Sequence, residues 1–165
     1  MLSHDGLELN PDSYGLSYTR FRISDLQIET AQDGFCSVTF NLANVGRVAG
    51  QEVAQIYVHP TTSQVERPAI ELKGFKKVLL QPGTSKTVTC ALDVSHFLSF
   101  ESKLTIHMQH TAFSYYNVQA SSWQADAGCY EIRVGRSSLL ADVSAPFHLA
   151  HSYRWVGQSK PERLL

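Results

Sequence analysis

From Cys36 to Ala43 the chain alternates without a break: Cys36, Val38, Phe40 and Leu42 are apolar, while Ser37, Thr39, Asn41 and Ala43 are small or polar. Successive side chains point to opposite faces of an extended strand, so a period of two describes a strand with one buried face and one wet face, and excludes a helix here. The same reading extends along the chain. Phe21 and Ile23, then Leu26 and Ile28, alternate around a break at Ser24-Asp25 that predicts a bulge. Asp33-Gly34 makes a turn before the Cys36 strand. Val53 to Val58, with Tyr57, is apolar enough for a central strand, and His59-Pro60 ends it because proline has no N–H to give a ladder. In Gly128 to Gly135, Tyr130, Ile132 and Val134 face inward and Glu131 and Arg133 outward. Val143 to Trp155 supplies one or two last strands, with Pro146 confining its strand to an edge or marking a bulge. About seven or eight short strands at spacings of roughly 8 to 12 residues, with turn signals between them, predict an all-β antiparallel sandwich.

Arg67 to Leu92 reads as a hairpin within that sandwich. Leu72, Phe75, Val78 and Leu80 are the expected apolar anchors of its first strand, Gly74 marks a bulge, and Pro82-Gly83 makes the turn. Val88, Cys90 and Leu92 form one face of the second strand. Asp93 is the expected N-cap of a helical turn over Asp93-Val94-Ser95-His96.

A chain of 165 residues carries enough material for one core. A formal charge of -1 offers no electrostatic reason to expect nucleic acid or anionic lipid as a partner. No apolar run reaches the roughly 20 residues that span a bilayer, and Met1 to Asn10 lacks the basic start and apolar centre of a secretion signal. Cys36, Cys90 and Cys129 are expected as buried thiols: an odd number leaves no complete set of pairs, and no C-x-x-C spacing suggests zinc.

Chemistry is sparse. General acid/base catalysis by paired carboxylates needs two of them at a fixed separation, one with a raised pKa. Of the 15 carboxylates, Glu71, Glu101, Asp126 and Glu131 all read as solvent-facing strand or loop residues, and no catalytic residue is expected. His107 and His110 have the three-residue spacing of two helical ligands but no source for a third, so no metal is expected. No serine stands in a nucleophile elbow and no glycine-rich loop opens a helix, so no cofactor is expected either. Tyr115, Tyr116 and Trp123 lie close together and are candidates for sugar stacking or for an interface.

Several ordered motifs resemble those of a known family. The Glu71-Leu72-Lys73-Gly74-Phe75 run leading to Pro82-Gly83 is similar to the hallmark of the C-terminal fibronectin type III-like domain in family-three glycoside hydrolases, the β-glucosidase and β-xylosidase group. Tyr14-Gly15-Leu16-Ser17-Tyr18-Thr19 resembles the motif that leads into that sandwich. Asn44, Gly46, Gly50, Glu52, Val53, Tyr57 and Val58 sit where the family places its asparagine-x-glycine turn and the following strand. Leu98-Ser99-Phe100, Trp123 and the Tyr130 to Ser138 strand match further on.

The resemblance implies a fibronectin type III-like β-sandwich over residues 14–156, preceded by a tail or linker remnant over 1–13 and followed by a tail over 157–165. It implies no catalysis by this chain, because the family's two catalytic carboxylates lie upstream, in a barrel and an α/β domain. It also implies an intramolecular partner, the catalytic domains that this sandwich packs against and supports, and in some members a dimer contact. Ser102 to Gln119 has no counterpart in the family and is expected to be an insertion: a long loop or hairpin, or translated intron sequence, dispensable for the fold. A rival reading is a free-standing carbohydrate-binding or adhesion module. A concave strip of exposed aromatics would favour that rival, and a flat apolar patch would favour the accessory domain.

Overall fold

The computed structural model describes residues 17–30, 36–63, 65–92, 112–139, 141–157, 159 and 161–164. Strands β1 (Phe21–Thr30), β2 (Cys36–Asn44) and β5 (Ser85–Leu92) form one sheet in the order β1-β2-β5. Strands β3 (Gly50–Pro60), β4 (Glu71–Leu80), β8 (Gly128–Gly135) and β9 (Ala141–Leu149) form the facing sheet in the order β4-β3-β8-β9. A small third sheet joins β6 (Tyr115–Asn117), β7 (Ser122–Ala125), β10 (Tyr153–Trp155) and β11 (Glu162–Arg163) in the order β11-β10-β7-β6. All pairings are antiparallel, as the alternation demands.

The predicted inward faces are the buried ones. Cys36, Val38, Phe40 and Leu42 on β2 meet Ala54, Ile56 and Val58 on β3 and Tyr130, Ile132 and Val134 on β8 across the sandwich, and all are 8% exposed or less. Burying an aliphatic or aromatic side chain contributes about 1.5 to 3 kcal/mol, so this layer is the main stabilising element of the fold. The β1 register slips between Ser24 and Gln27 where a bulge was expected, and Asp25 takes a φ of 56° there. The β4 register slips beside Gly74, which packs inward opposite Ile56. β3 is central in its sheet, and β9, which carries Pro146, lies at an edge.

Several expectations are corrected, four of them within the two main sheets and the segment before β6. The Arg67–Leu92 segment is not a hairpin: β4 pairs with β3 and β5 pairs with β2, so Pro82-Gly83 carries the chain from one sheet to the other. An arch of this kind lets Val78 and Leu80 face Val88, Cys90 and Leu92 across the core, an arrangement that alternation alone does not distinguish from hairpin pairing. Leu72 and Phe75 are not core anchors; they point outward from β4, as described below. Cys129 is exposed, while Cys36 and Cys90 are buried as expected. Its place on β8 falls between the inward Tyr130 and the end of the strand, on the outer side of the alternation.

The fourth correction concerns the span 102–119. Residues 102–111 lie outside the described residues, but 112–119 are built into the fold. Phe113 is fully buried, stacked on Phe147 with ring centroids 4.8 Å apart and set edge-on to Tyr130 at 5.0 Å. Tyr115–Asn117 then pairs with β7. A dispensable loop therefore does not describe 112–119, because removing Phe113 would open a cavity against two aromatic neighbours. At the other end, Glu162 and Arg163 pair with β10, so part of the expected 157–165 tail is a sheet edge. The tail expected over 1–13, the helical turn at Asp93, Glu101 and the Leu98-Ser99-Phe100 step lie outside the described residues.

One corner ties these elements together. Asn44, fully buried at the end of β2, donates through Nδ2 to the carbonyls of Val48 at 2.8 Å and Leu80 at 3.1 Å, and its Oδ1 accepts from Thr19 Oγ1 at 2.7 Å and Gly46 N at 3.0 Å. Its backbone N–H donates to Thr84 O and its carbonyl accepts from Gly83 N, both at 2.9 Å. Gly83 adopts a φ of 71° in this turn, which glycine enters without steric cost. Both side-chain donors of the amide are thus satisfied within the protein, and its oxygen accepts twice, which makes full burial of Asn44 affordable. Gly46 has no room for a side chain: a Cβ there would sit 2.0 Å from Thr19 Oγ1.

Candidate docking face

The outer face of the β4-β3-β8-β9 sheet is set by register. Ala54, Ile56 and Val58 point inward, so Gln51, Val53, Gln55, Tyr57 and His59 point outward, and their β4 partners Leu79, Lys77, Phe75 and Leu72 share that side. Leu72, Phe75 and Leu79 are each more than half exposed, at 51%, 54% and 53%. Over the seven residue steps from Leu72 to Leu79 a strand extends about 23 Å, so these three side chains form a largely apolar ridge along the sheet's edge, with Lys77 on the same side between Phe75 and Leu79. Single exposed apolar residues are ordinary; three in line on one strand face form a patch of the kind that marks contact surfaces.

The rest of the face is rigid. Tyr57 OH donates to Gln55 Oε1, Gln55 Nε2 donates to the Arg136 carbonyl at 3.1 Å, and the His59 ring bonds the Ala69 carbonyl. Burial under these neighbours raises the Tyr57 pKa. Arg133 grips Glu131 through Nε at 2.8 Å and Nη2 at 2.6 Å. Hydrogen bonding from Arg133 is the main cause of a Glu131 pKa below the ordinary carboxylate range.

Two of the carboxylates singled out in the sequence, Glu71 and Asp126, are each bonded to a neighbouring side chain. Glu71, expected to face solvent, is instead half-buried between two cations: Arg67 Nη2 lies 2.6 Å and Lys73 Nζ 2.9 Å from its oxygens. Burial pushes its pKa up, but the bonds from Lys73 and Arg67 outweigh that, and the net shift is downward. Asp126 accepts from Tyr115 OH at 3.0 Å. Desolvation, together with that bond, pushes the Tyr115 hydroxyl up to about 12. Glu71 and Glu131, bonded to cations that lower their pKa, are the opposite of a general acid kept protonated for a leaving group. Among the described residues no group of three or more His, Cys, Asp or Glu is placed to hold a metal ion; His107 and His110 lie outside them.

The three aromatic candidates divide between two faces of the small sheet. Tyr116 and Trp123 are cross-strand partners, and Trp155 pairs with Trp123 on its other side. Tyr115 points the opposite way, to Asp126 and to Arg67, whose guanidinium lies 5.5 Å from its ring. Tyr116 and Trp123 meet edge-on at 74°, and Trp123 stacks on Trp155 with centroids 6.5 Å apart. The Trp123 ring is therefore flanked by protein on both sides, and the trio does not present one flat strip. Sequence reasoning missed the β4 ridge by counting Leu72 and Phe75 as core. Strict counting of the period across the Gly74 bulge, with Val78 and Leu80 fixed inward, would have placed Phe75 outside.

A model of the fibronectin type III-like domain matches residues 52–103 and 101–138. Thermostable β-glucosidase B from Acetivibrio thermocellus is 40% identical over 137 residues, which is 81% of this chain and 16% of that protein. Among solved structures, β-glucosidase from Kluyveromyces marxianus in complex with glucose superposes with a TM-score of 0.75 at 34% identity, covering 87% of this chain and 15% of that one. The GH3 β-glucosidase of Bifidobacterium adolescentis gives a TM-score of 0.70 at 32% identity, over 82% of this chain and 18% of that one. This chain thus spans less than a fifth of the length of each of these relatives.

Proposed function

The chain belongs to the fibronectin type III-like domain family, and on that footing we propose that it is the non-catalytic accessory domain of a β-glucosidase-like glycoside hydrolase, working by packing against and supporting catalytic domains. The β4 ridge carries this reading. Leu72, Phe75 and Leu79 lie on the outside of a sheet whose inner face is already filled, and about half of each residue is left open to water. A large apolar surface is stabilising only when another surface removes it from water. Relatives several times longer than this chain supply a class of partner of the right kind, the rest of a β-glucosidase polypeptide.

The chemistry of two carboxylates supports the non-catalytic part of this reading. Glu71 and Glu131 are held as anions by bound cations. The purified chain is expected to give no turnover of an aryl β-glucoside. Turnover above a blank that disappeared on substituting a carboxylate of this chain would overturn the proposal.

A further inference from the structure

A surface cavity of about 440 Å³ opens where β1 begins, lined by Arg20, Phe21, Arg22, Val45, Arg136 and Asp142. Three guanidinium groups face a single carboxylate there, in a chain whose overall formal charge is only -1. The carboxylate is committed: Asp142 takes Arg136 in a two-pronged pair, Nε to Oδ2 at 3.1 Å and Nη2 to Oδ1 at 3.0 Å, which fixes where that guanidinium stands. Arg20 and Arg22 are exposed, and neither forms an ion pair with a described residue. They share one side of the chain because Phe21 between them is buried in the core. Their backbone is held as well: the Arg20 carbonyl accepts from Val45 N at 2.8 Å, and Arg22 is paired in register with Ala43.

From this arrangement we infer that the cavity binds an oxyanion, a carboxylate or phosphate group carried on a molecule about the size of a monosaccharide. Guanidinium forks match the paired oxygens of carboxylate and phosphate, whereas the hydroxyls of a neutral sugar give them no charge to recognise. A cavity of this volume lies within the range of roughly 300 to 1,000 Å³ typical of small-molecule sites. Val45, exposed beside the arginines, gives the body of the ligand an apolar contact. The site shares no lining residue with the β4 ridge and does not depend on the docking role.

The test is an amide-resolved NMR titration of the whole chain at physiological salt with inorganic phosphate, glucuronate and neutral glucose in turn. Saturable shifts confined to residues 20–22, 45, 136 and 142 are expected with phosphate, with glucuronate, or with both, and none with glucose. Saturation by phosphate alone assigns a phosphorylated ligand, and saturation by glucuronate alone assigns a carboxylated one. The double variant Arg20→Gln/Arg22→Gln should weaken binding by about ten-fold or more, since it removes both uncommitted forks. Absence of saturation with either anion overturns the inference. So do shifts equally large around Lys77 and Lys86, or binding retained by a double variant that melts like the native chain. If that variant does not fold, the single exchange Arg22→Gln and the localisation of shifts in the native chain decide.

Discussion

The two main sheets present outer faces of opposite character. On the β1-β2-β5 sheet, Thr39 and Thr89 hydroxyls bond across strands at 3.0 Å, Thr87 Oγ1 donates to Asn41 Oδ1 at 3.0 Å, and Asn41 Nδ2 donates to Asp25 at 2.9 Å. None of the large apolar residues exposed among the described residues lies on those three strands. On the β4-β3-β8-β9 sheet the equivalent positions hold Leu72, Phe75 and Leu79. Both sheets contribute the same kind of inner face, Val, Ile, Leu and Phe buried to near completion, so the inner faces record the fold alone. The outer faces differ in that one is polar and hydrogen-bonded while the other carries exposed Leu and Phe, the difference on which the proposed docking role rests. Position on a sheet is thus read in two steps: inward residues report stability, and outward residues report the environment in which the sheet works.

The comparison breaks first if inside and outside are misassigned. Phe40→Ala should destabilise the chain by about 3 to 5 kcal/mol, and Phe113→Ala by a similar amount, because each leaves a cavity in the buried layer. Thr39→Ala, on the wet face, should cost about 1 kcal/mol or less. Denaturant midpoints that moved equally for Phe40→Ala and Thr39→Ala would show that the β2 register is wrong.

The corner that joins the two sheets comes next. Asn44→Ala strands the carbonyls of Val48 and Leu80 and the Thr19 hydroxyl in a buried site, and about 2 to 3 kcal/mol of stability should be lost. Asn44→Asp should not restore it, since a carboxylate cannot donate to those carbonyls. Recovery of native stability by Asn44→Asp in thermal melts would contradict the network.

A smaller effect separates the edge of β4 from its ridge by pH. Glu71 has a folded-state pKa below its ordinary value of 4.5. A group depressed in the folded state contributes stability that is fully present above its unfolded pKa and is lost as pH falls through the folded value. Glu71→Gln should therefore be less stable than the native chain at neutral pH, and the gap should close as pH drops below 4.5. A gap that stayed constant down to strongly acidic pH would assign the loss to shape and not to charge.

The sandwich was legible in the sequence because each half-buried strand writes its inner face as a period of two, and β2 and β8 do so without interruption. Strand pairing was not legible. Val78, Leu80, Val88 and Cys90 alternate identically whether β4 and β5 pair with each other or arch over the core. The Asn44 corner was visible only as a motif, Asn44 with Gly46 and Gly50; its six hydrogen bonds reach residues from Thr19 to Thr84, a range that local pattern does not encode. Phe113 was hidden by its setting, a single buried aromatic among polar neighbours with too short a run to show a period. The β4 ridge was hidden by the opposite problem, since an exposed Leu or Phe on a strand looks like a core residue until the bulge at Gly74 fixes the register.

The most direct measurement of the docking role is the thermal stability of a chimera in which this chain replaces the matching part of the Kluyveromyces marxianus β-glucosidase. Leu72→Ser, Phe75→Ser and Leu79→Ser together should leave the isolated chain within about 0.5 kcal/mol of native for each site, as expected for exposed positions away from caps and networks. In the chimera the same three changes should lower the melting temperature by several degrees, because the proposed docking buries the ridge against the rest of the enzyme. A chimera that melted identically with and without the three substitutions, while keeping its activity, would contradict the assignment of this face as the contact surface.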